Sequence, residues 1–464
     1  MESLKVNISE ENKKSFLVGS SMIPRQYEDR TVGMSTLTII WFAMSIVISI
    51  FMVSGQLYPA LTGWQIVLGL VLGHTLIAVI MWFTQDFGIK YGLPFPASLR
   101  SSFGYGGAYI PIFLRSTPAL FWFGFQTWIA ASAVCGITDI LFGWSNLIFF
   151  IIVFGIIQIA HTYPGIKFIT RLSWISSPLL LFVGIYLLVA ILGAYDTTLG
   201  AVLSQGGEGG VSFSLAIMAI AGGWLTMSLS IMDITRECKV KPEEVENWWR
   251  STRKFMAAQW LGLVPAAVFF GMIGVVCAVL AGNWNPIDVM ILVIGAQSTP
   301  MLIVCLLFVV VATWTTNDTA NLYPAAYGIS SLAPSKINFG KGVVLAGIIG
   351  IAIRPWSAAG ELITVMSTFG AALGPVLGIL ITDYYILRKR KLNLDDLYNP
   401  KGQYRYMKNW NPAAIIAYAT ALLIAIPLPI WDFMYLIGPV ISGVLYYVLM
   451  KNWIVKKYPQ KELM

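Results

Sequence analysis

Residues 301–321 read MLIVCLLFVVVATWTTNDTAN: hydrocarbon side chains from Met301 to Val311, then a polar cluster from Thr313 to Asn321. The cluster falls in the middle of an apolar segment that runs over about 298–330. Polar groups at that depth of a bilayer are costly unless they pair inside the protein or hold a ligand. This stretch therefore predicts an integral membrane protein that keeps a polar ligand, an ion, or both within the membrane.

The rest of the chain agrees. Of 464 residues, 57% are hydrophobic and only 11% are charged, and the mean hydropathy is +0.74. Soluble domains carry about 25% charged residues, so a water-facing surface of this size cannot be covered. Apolar runs of about 20 residues are long enough to cross the hydrocarbon core. Twelve are predicted, at about 34–57, 64–85, 108–136, 145–163, 170–193, 211–234, 256–281, 298–330, 341–354, 358–386, 411–429 and 432–452. Residues 1–33 and 453–464 are then tails around one membrane domain, 34–452.

The basic residues fix an orientation. All of the 30 Lys and Arg except Arg115 and Arg354 fall in the tails or in alternate loops, which the positive-inside rule places in the cytoplasm with both termini. The same pattern accounts for the net charge of +8, so no nucleic-acid partner is expected. Cys135, Cys277 and Cys305 fall inside predicted helices and Cys238 in a cytoplasmic loop, where it should be open to thiol reagents. Their spacing suggests neither a disulfide framework nor a metal site. Phosphate-binding loops, nucleophile elbows and Rossmann fingerprints are missing, so no enzyme and no organic cofactor is expected.

Trp41-Phe-Ala-Met-Ser45 in the first segment echoes Trp224-Leu-Thr-Met-Ser228 in the sixth. An echo between first and sixth segments is what a five-plus-five inverted repeat with interrupted first helices would give, although three shared residues could also be chance. Gly222-Gly223 favours an interruption in the sixth.

Trp122 and Gln126 are one helical turn apart. An indole beside a primary amide suits a flat polar heterocycle, stacked by the ring and read in its plane by the amide; the plainer alternative is an aromatic belt with an interhelical hydrogen bond. Asn317 and Asn321 are likewise one turn apart, and Thr315 and Asp318 are neighbours. The hydroxyls of Thr315 and Thr316 suit a small hard cation. Alternatively each Thr bonds back to its own helix and each Asn joins two helices. His74 is either a proton relay or a histidine satisfied by its surroundings. Asp233 and Arg236 read as a capping or gating pair, and Glu361 has no clear role.

These motifs, with Gly92-Leu-Pro-Phe-Pro96, Arg100-Ser-Ser-Phe-Gly104, Gly374–Tyr385 and Asp395-Asp-Leu-Tyr398, make the chain resemble the nucleobase:cation symporter-1 family over nearly its whole length. The resemblance implies ten helices in two inverted five-helix repeats, at about 34–193 and 211–386, plus two extra C-terminal helices at 411–452. It implies a segment-three Trp and Gln on the substrate, matching Trp122 and Gln126. It implies a second wall from Gly223 and Trp224, and an Asn matching Asn321. It implies a sodium site of backbone and hydroxyl oxygens, matching Ala43, Ile46, Ala312, Thr315 and Thr316. Thr315-Thr-Asn-Asp318 is nearer the cytosine branch and Trp122–Gln126 nearer the hydantoin and allantoin branch, and Val47 stands where relatives often have a polar residue.

The expectation is a secondary active importer of a flat nitrogenous heterocycle in the cell membrane, coupled to sodium or, alternatively, to protons. Trp122, Gln126, Gly223, Trp224, Asn317, Asp318 and Asn321 are its expected ligand contacts. A ligand-gated channel would conduct without ion-coupled accumulation. A non-transporting receptor would need a signalling domain that these short loops lack.

Overall fold

The computed structural model describes residues 8–428 and 430–463; Lys5 of the basic tail and position 429, the expected end of segment eleven, lie outside them. The chain is helical, and among the described residues there is no strand, only two isolated bridges. The first predicted segment is α1, in two halves, Met34–Ser45 and Ile48–Gln56. There follow α2 (Gly63–Thr84), α3 (Tyr109–Phe142), α4 (Leu147–Thr162), α5 (Ile166–Ala194) and α6 (Phe213–Ser230). Then come α7 (Trp248–Ala281), α8 (Thr299–Thr316), α9 (Phe339–Ala352), α10 (Leu362–Ile381), α11 (Pro412–Ala425) and α12 (Met434–Leu449). Eight described spans are long and apolar enough to cross a membrane, or nine with the bent halves of α1 as one. Helices α4, α9 and α11 are shorter, at 16, 14 and 14 residues.

Local sequence sets many of the ends. Asn146, Ser212, Asn247, Ser298 and Asn338 each accept a backbone N–H of the following first turn, the standard relief for donors that a helix cannot pair itself. Helices α3 and α7 stop at Gly143 and Gly282, both left-handed.

Helices five apart in the chain share surroundings. Helices α1, α2, α6 and α7 pack together, as do α3, α4, α8 and α9, and α5 lies against both α1 and α8. Helix α12 packs on α10 and α11. Contact is close where side chains are small: a Cβ added to Gly262 or Gly274 of α7 would lie 2.4 Å from the Thr38 carbonyl oxygen or 2.2 Å from that of Phe51, both on α1.

The two first-of-half helices differ, contrary to expectation. The halves of α1 bend by 54°. At the break Ile46 has ψ 81° and Val47 is extended at φ −128°, ψ 135°. Helix α6 instead runs unbroken through Gly222 and Gly223. Those glycines supply room: a Cβ on Gly222 would approach the Met366 Cε to 3.2 Å.

The stretch 387–410, expected on the cytoplasmic side, is a folded loop with Tyr398, Tyr404 and Tyr406 buried. Arg390 grips both oxygens of Asp86, at 2.7 and 3.0 Å, which fastens this loop to the end of α2. Cys238 is not the accessible loop thiol that was expected. It is 0% exposed beneath the N-terminal tail, whose Val32 pairs with its backbone, and burial pushes the thiol up.

Candidate functional site

The break in α1 leaves backbone carbonyls without helical partners in the protein interior. They meet the polar cluster of α8. The Thr315 hydroxyl lies 3.3 Å from the Ala43 carbonyl oxygen and 2.9 Å from that of Ala312. The Thr316 hydroxyl lies 2.8 Å from the Met44, 3.1 Å from the Ala312 and 3.5 Å from the Ile46 carbonyl oxygens. The five expected ion ligands, Ala43, Ile46, Ala312, Thr315 and Thr316, thus converge, and Met44 joins them. The carbonyl end of a half-helix is also its negative end. Backbone and hydroxyl oxygens at such an end can take the place of water around a hard cation.

Beside this knot the helices leave a small cavity. Helix α3 contributes Trp122 and Gln126, α6 contributes Gly223 and Trp224, and α8 contributes Thr316 and Asn321. Gln126 is only 5% exposed and its carbonyl oxygen has no partner. The Trp224 ring stands edge-on to Trp41, with centroids 5.4 Å apart, so the echoed tryptophans meet in space. The cavity also has walls that sequence reasoning did not single out, among them Ser49, Ile50, Thr226 and Met227. Ser49 carried one signal, its place just after Val47 at the break.

Two expected contacts are corrected. Asn317 and Asp318 do not line this cavity. From Asn317 on, α8 passes through a π-helical turn, Asn317–Leu322, before ending as Tyr323–Ser330. The wider turn changes which side chains share a face. Asn317 donates to the Phe123 carbonyl at 3.0 Å, Thr127 at 3.2 Å and Gln158 at 3.3 Å, so it joins α8 to α3 and α4. Its own oxygen accepts from Asn321 at 2.8 Å, which orients that side chain. Thr319 bonds back to the Thr315 carbonyl, as the plainer alternative has it.

Asp318 faces α4. Its Oδ2 accepts from the Trp314 indole at 3.0 Å and lies 2.6 Å from His161 Nδ1. Sequence reasoning missed His161, because 157 positions separate it from its partner; being one of two histidines was its only mark. Asp318→Asn is expected to leave the order of substrate preference unchanged in competition assays. Asp318→Ala strands two donors and is expected to lower thermal stability by about 1–3 kcal/mol. An altered preference in Asp318→Asn would restore the carboxylate to the ligand.

Asp233 and Arg236 do not form an ion pair. Asp233 accepts from the Phe95 N–H at 2.7 Å, and Arg236 donates to the Ser21 carbonyl at 3.0 Å and to that of Ile23. Glu361 is exposed.

Residues 23–454 match the family of permeases for cytosine and purines, uracil, thiamine and allantoin. The chain is 40% identical over 445 residues to the hydantoin permease of Microbacterium maritypicum, across 96% of this chain and 90% of that one. It is 28% identical over 479 residues to the allantoin permease of Bacillus subtilis (strain 168), across 94% and 93% of the two chains. Its fold is similar, at a TM-score of 0.92 and 40% identity, to Mhp1, a nucleobase-cation-symport-1 family transporter solved in a closed conformation with bromovinylhydantoin bound; the match covers 96% of this chain and 97% of that one.

Proposed function

We propose, from the premise that this chain belongs to the family of permeases for cytosine and purines, uracil, thiamine and allantoin, that it imports a hydantoin-like or allantoin-like ring together with sodium. It is a multi-pass membrane protein and a secondary symporter. The observation that carries the reading is the adjacency of two sites on one residue. Thr316 lines the ring cavity and, through its hydroxyl, also reaches the freed carbonyls of α1. An ion held there would set the wall against which the ring packs, so that each ligand favours the other.

In this reading Trp122 and Trp224 flank the ring, and Gln126 and Asn321 bond its in-plane N–H and C=O groups. The hydantoin and allantoin relatives favour such a ring over a bare nucleobase. The basic loops support placing both termini in the cytoplasm, at the cell membrane. Proton coupling is the second reading, favoured by the pairing of buried Asp318, next to the ion ligands on α8, with partly buried His161 of α4.

Uptake of radiolabelled hydantoin, allantoin, cytosine and uracil into proteoliposomes tests this. Concentrative uptake of hydantoin or allantoin is expected under an inward sodium gradient at equal pH. Accumulation that follows a pH gradient and ignores sodium selects the proton. Mere equilibration under either gradient rejects symport.

A further inference from the structure

Helix α12 carries an apolar stripe that ends on a cation. Val440, Val444, Tyr447 and Lys451 follow one another at intervals of four, three and four residues, which puts them on one helix face. Val440 and Val444 are 65% and 62% exposed. Beside the stripe run Thr382 and Ile386, from the turn that continues α10, and Ile386 is 58% exposed. Pro439 and Gly443 form the floor of the groove between them. The helices meet closely there, since a Cβ on Gly443 would lie 2.6 Å from the Thr382 hydroxyl oxygen. The groove has about 370 Å³ of room.

At its basic end the groove meets a second hollow of about 440 Å³, and Ile386 and Tyr447 border both. Lys389, Lys391 and Lys451 line this hollow, and all three are exposed. Among the described residues none of the three forms an ion pair. Lys451 only rests over the Tyr447 ring, 5.6 Å from its centroid, with Nζ 3.5 Å from the hydroxyl. The other charged groups on the hollow, Arg388 and Glu462, are already engaged. Arg388 bonds Asp383 at 2.8 Å and Glu462 at 3.3 Å, and Glu462 also accepts from Gln403 at 2.7 Å and Tyr404 at 2.6 Å. Three positive charges thus stand uncompensated at the mouth of an apolar groove.

The lining selects the ligand. From Val440 to Lys451 the helix rises about 16 Å, the depth of one leaflet of a hydrocarbon core about 30 Å thick. A water-soluble anion would meet the lysines and make no use of the groove. A neutral lipid would fill the groove and leave the lysines uncompensated. One molecule with both an acyl chain and an anionic headgroup satisfies the two together. Basic pockets between membrane helices on the cytoplasmic side bind acidic headgroups, and the distribution of Lys and Arg supports that side for this mouth. We propose that the groove between α10 and α12 binds an anionic phospholipid, with an acyl chain along Val440, Val444 and Ile386 and the headgroup phosphate on Lys389, Lys391 and Lys451. The proposal is independent of the ring and ion sites.

Native mass spectrometry of the purified full-length protein tests it. The probes are phosphatidylglycerol and phosphatidylcholine with the same chains, and glycerol 1-phosphate as a headgroup without chains. Wild type is expected to bind phosphatidylglycerol more tightly than phosphatidylcholine by about 10-fold or more, because each lysine at the surface adds to the attraction. Lys389→Gln, Lys391→Gln and Lys451→Gln together are expected to bring that ratio toward one. Lys167→Gln, Lys241→Gln and Arg250→Gln together remove the same charge away from the groove and should leave most of it. Val440→Trp, which fills the groove, should weaken both lipids. The substituted side chains are all exposed, so folding should be unaffected. No preference in wild type, or a preference that the distant triple abolishes as fully as the groove triple, overturns the site in favour of diffuse attraction. Glycerol 1-phosphate that displaces phosphatidylglycerol at equal concentration, with Val440→Trp without effect, makes this a site for free phosphates and overturns the lipid. A wild-type dimer that Val440→Trp dissociates gives the groove to a second copy of the chain and overturns it likewise.

Discussion

Replacing Thr316 by alanine is expected to raise the sodium concentration for half-maximal uptake by roughly 10- to 100-fold. The hydroxyl sits within 2.8–3.5 Å of three carbonyl oxygens, two of them freed by the break in α1. Losing one interaction with a charged partner costs about 1.5–3 kcal/mol, and about 1.4 kcal/mol is a factor of 10. Thr316 also borders the ring, so its loss should weaken substrate binding in the presence of sodium more than in its absence. Thr315→Ala separates the two effects, because Thr315 reaches Ala43 and Ala312 but does not line the cavity. It should move the sodium requirement with little change in sodium-free binding. Thr316→Ser keeps the hydroxyl and should stay near wild type. Unchanged sodium curves in both alanine variants would remove the ion from this site.

Gln126→Ala is expected to weaken ring binding by about 10-fold or more. The side chain lines the cavity and is nearly buried, and its carbonyl oxygen has no protein partner. A bound ring N–H would find there an acceptor that no water network has to surrender. Truncation removes that bond and leaves the ring donor buried, a cost of about 1–3 kcal/mol. Asn321→Ala should act similarly. Asn317→Ala should act less, because Asn317 does not line the cavity and acts on it only by orienting Asn321. Equilibrium binding on purified variants measures the series; equal losses in all three would mean that the network holds the helices and not the ligand.

Membrane class, helix positions and family were legible in the chain because each rests on composition or on short contiguous motifs. The lipid-facing surfaces must be apolar over a fixed length, and the basic loops must alternate. Those demands print directly onto the sequence. The candidate ring and ion residues were legible for a different reason: Trp122 with Gln126, and Thr315 with Thr316, are local patterns, and the structure places the first pair on the cavity and the second beside the α1 carbonyls.

The errors share a cause. Asp318 looked like a ligand contact because regular helical spacing puts it near Asn321, but the π-helical turn and a histidine on α4 turn it away. Gly222-Gly223 looked like a break, but unfavourable propensity was overridden by packing that holds α6 against α2 and α10. Cys238 looked accessible because its loop is polar, but the N-terminal tail covers it.

The sequence by itself determined that this chain lives in a bilayer, roughly where its helices lie, and which polar residues stand in the middle of them. Tertiary structure alone decided which α1 carbonyls Thr315 and Thr316 reach, and that Asp318 pairs with His161. These are matters of direction between helices far apart in the chain. A helix of given composition can turn any buried residue toward any neighbour, and only packing fixes which one.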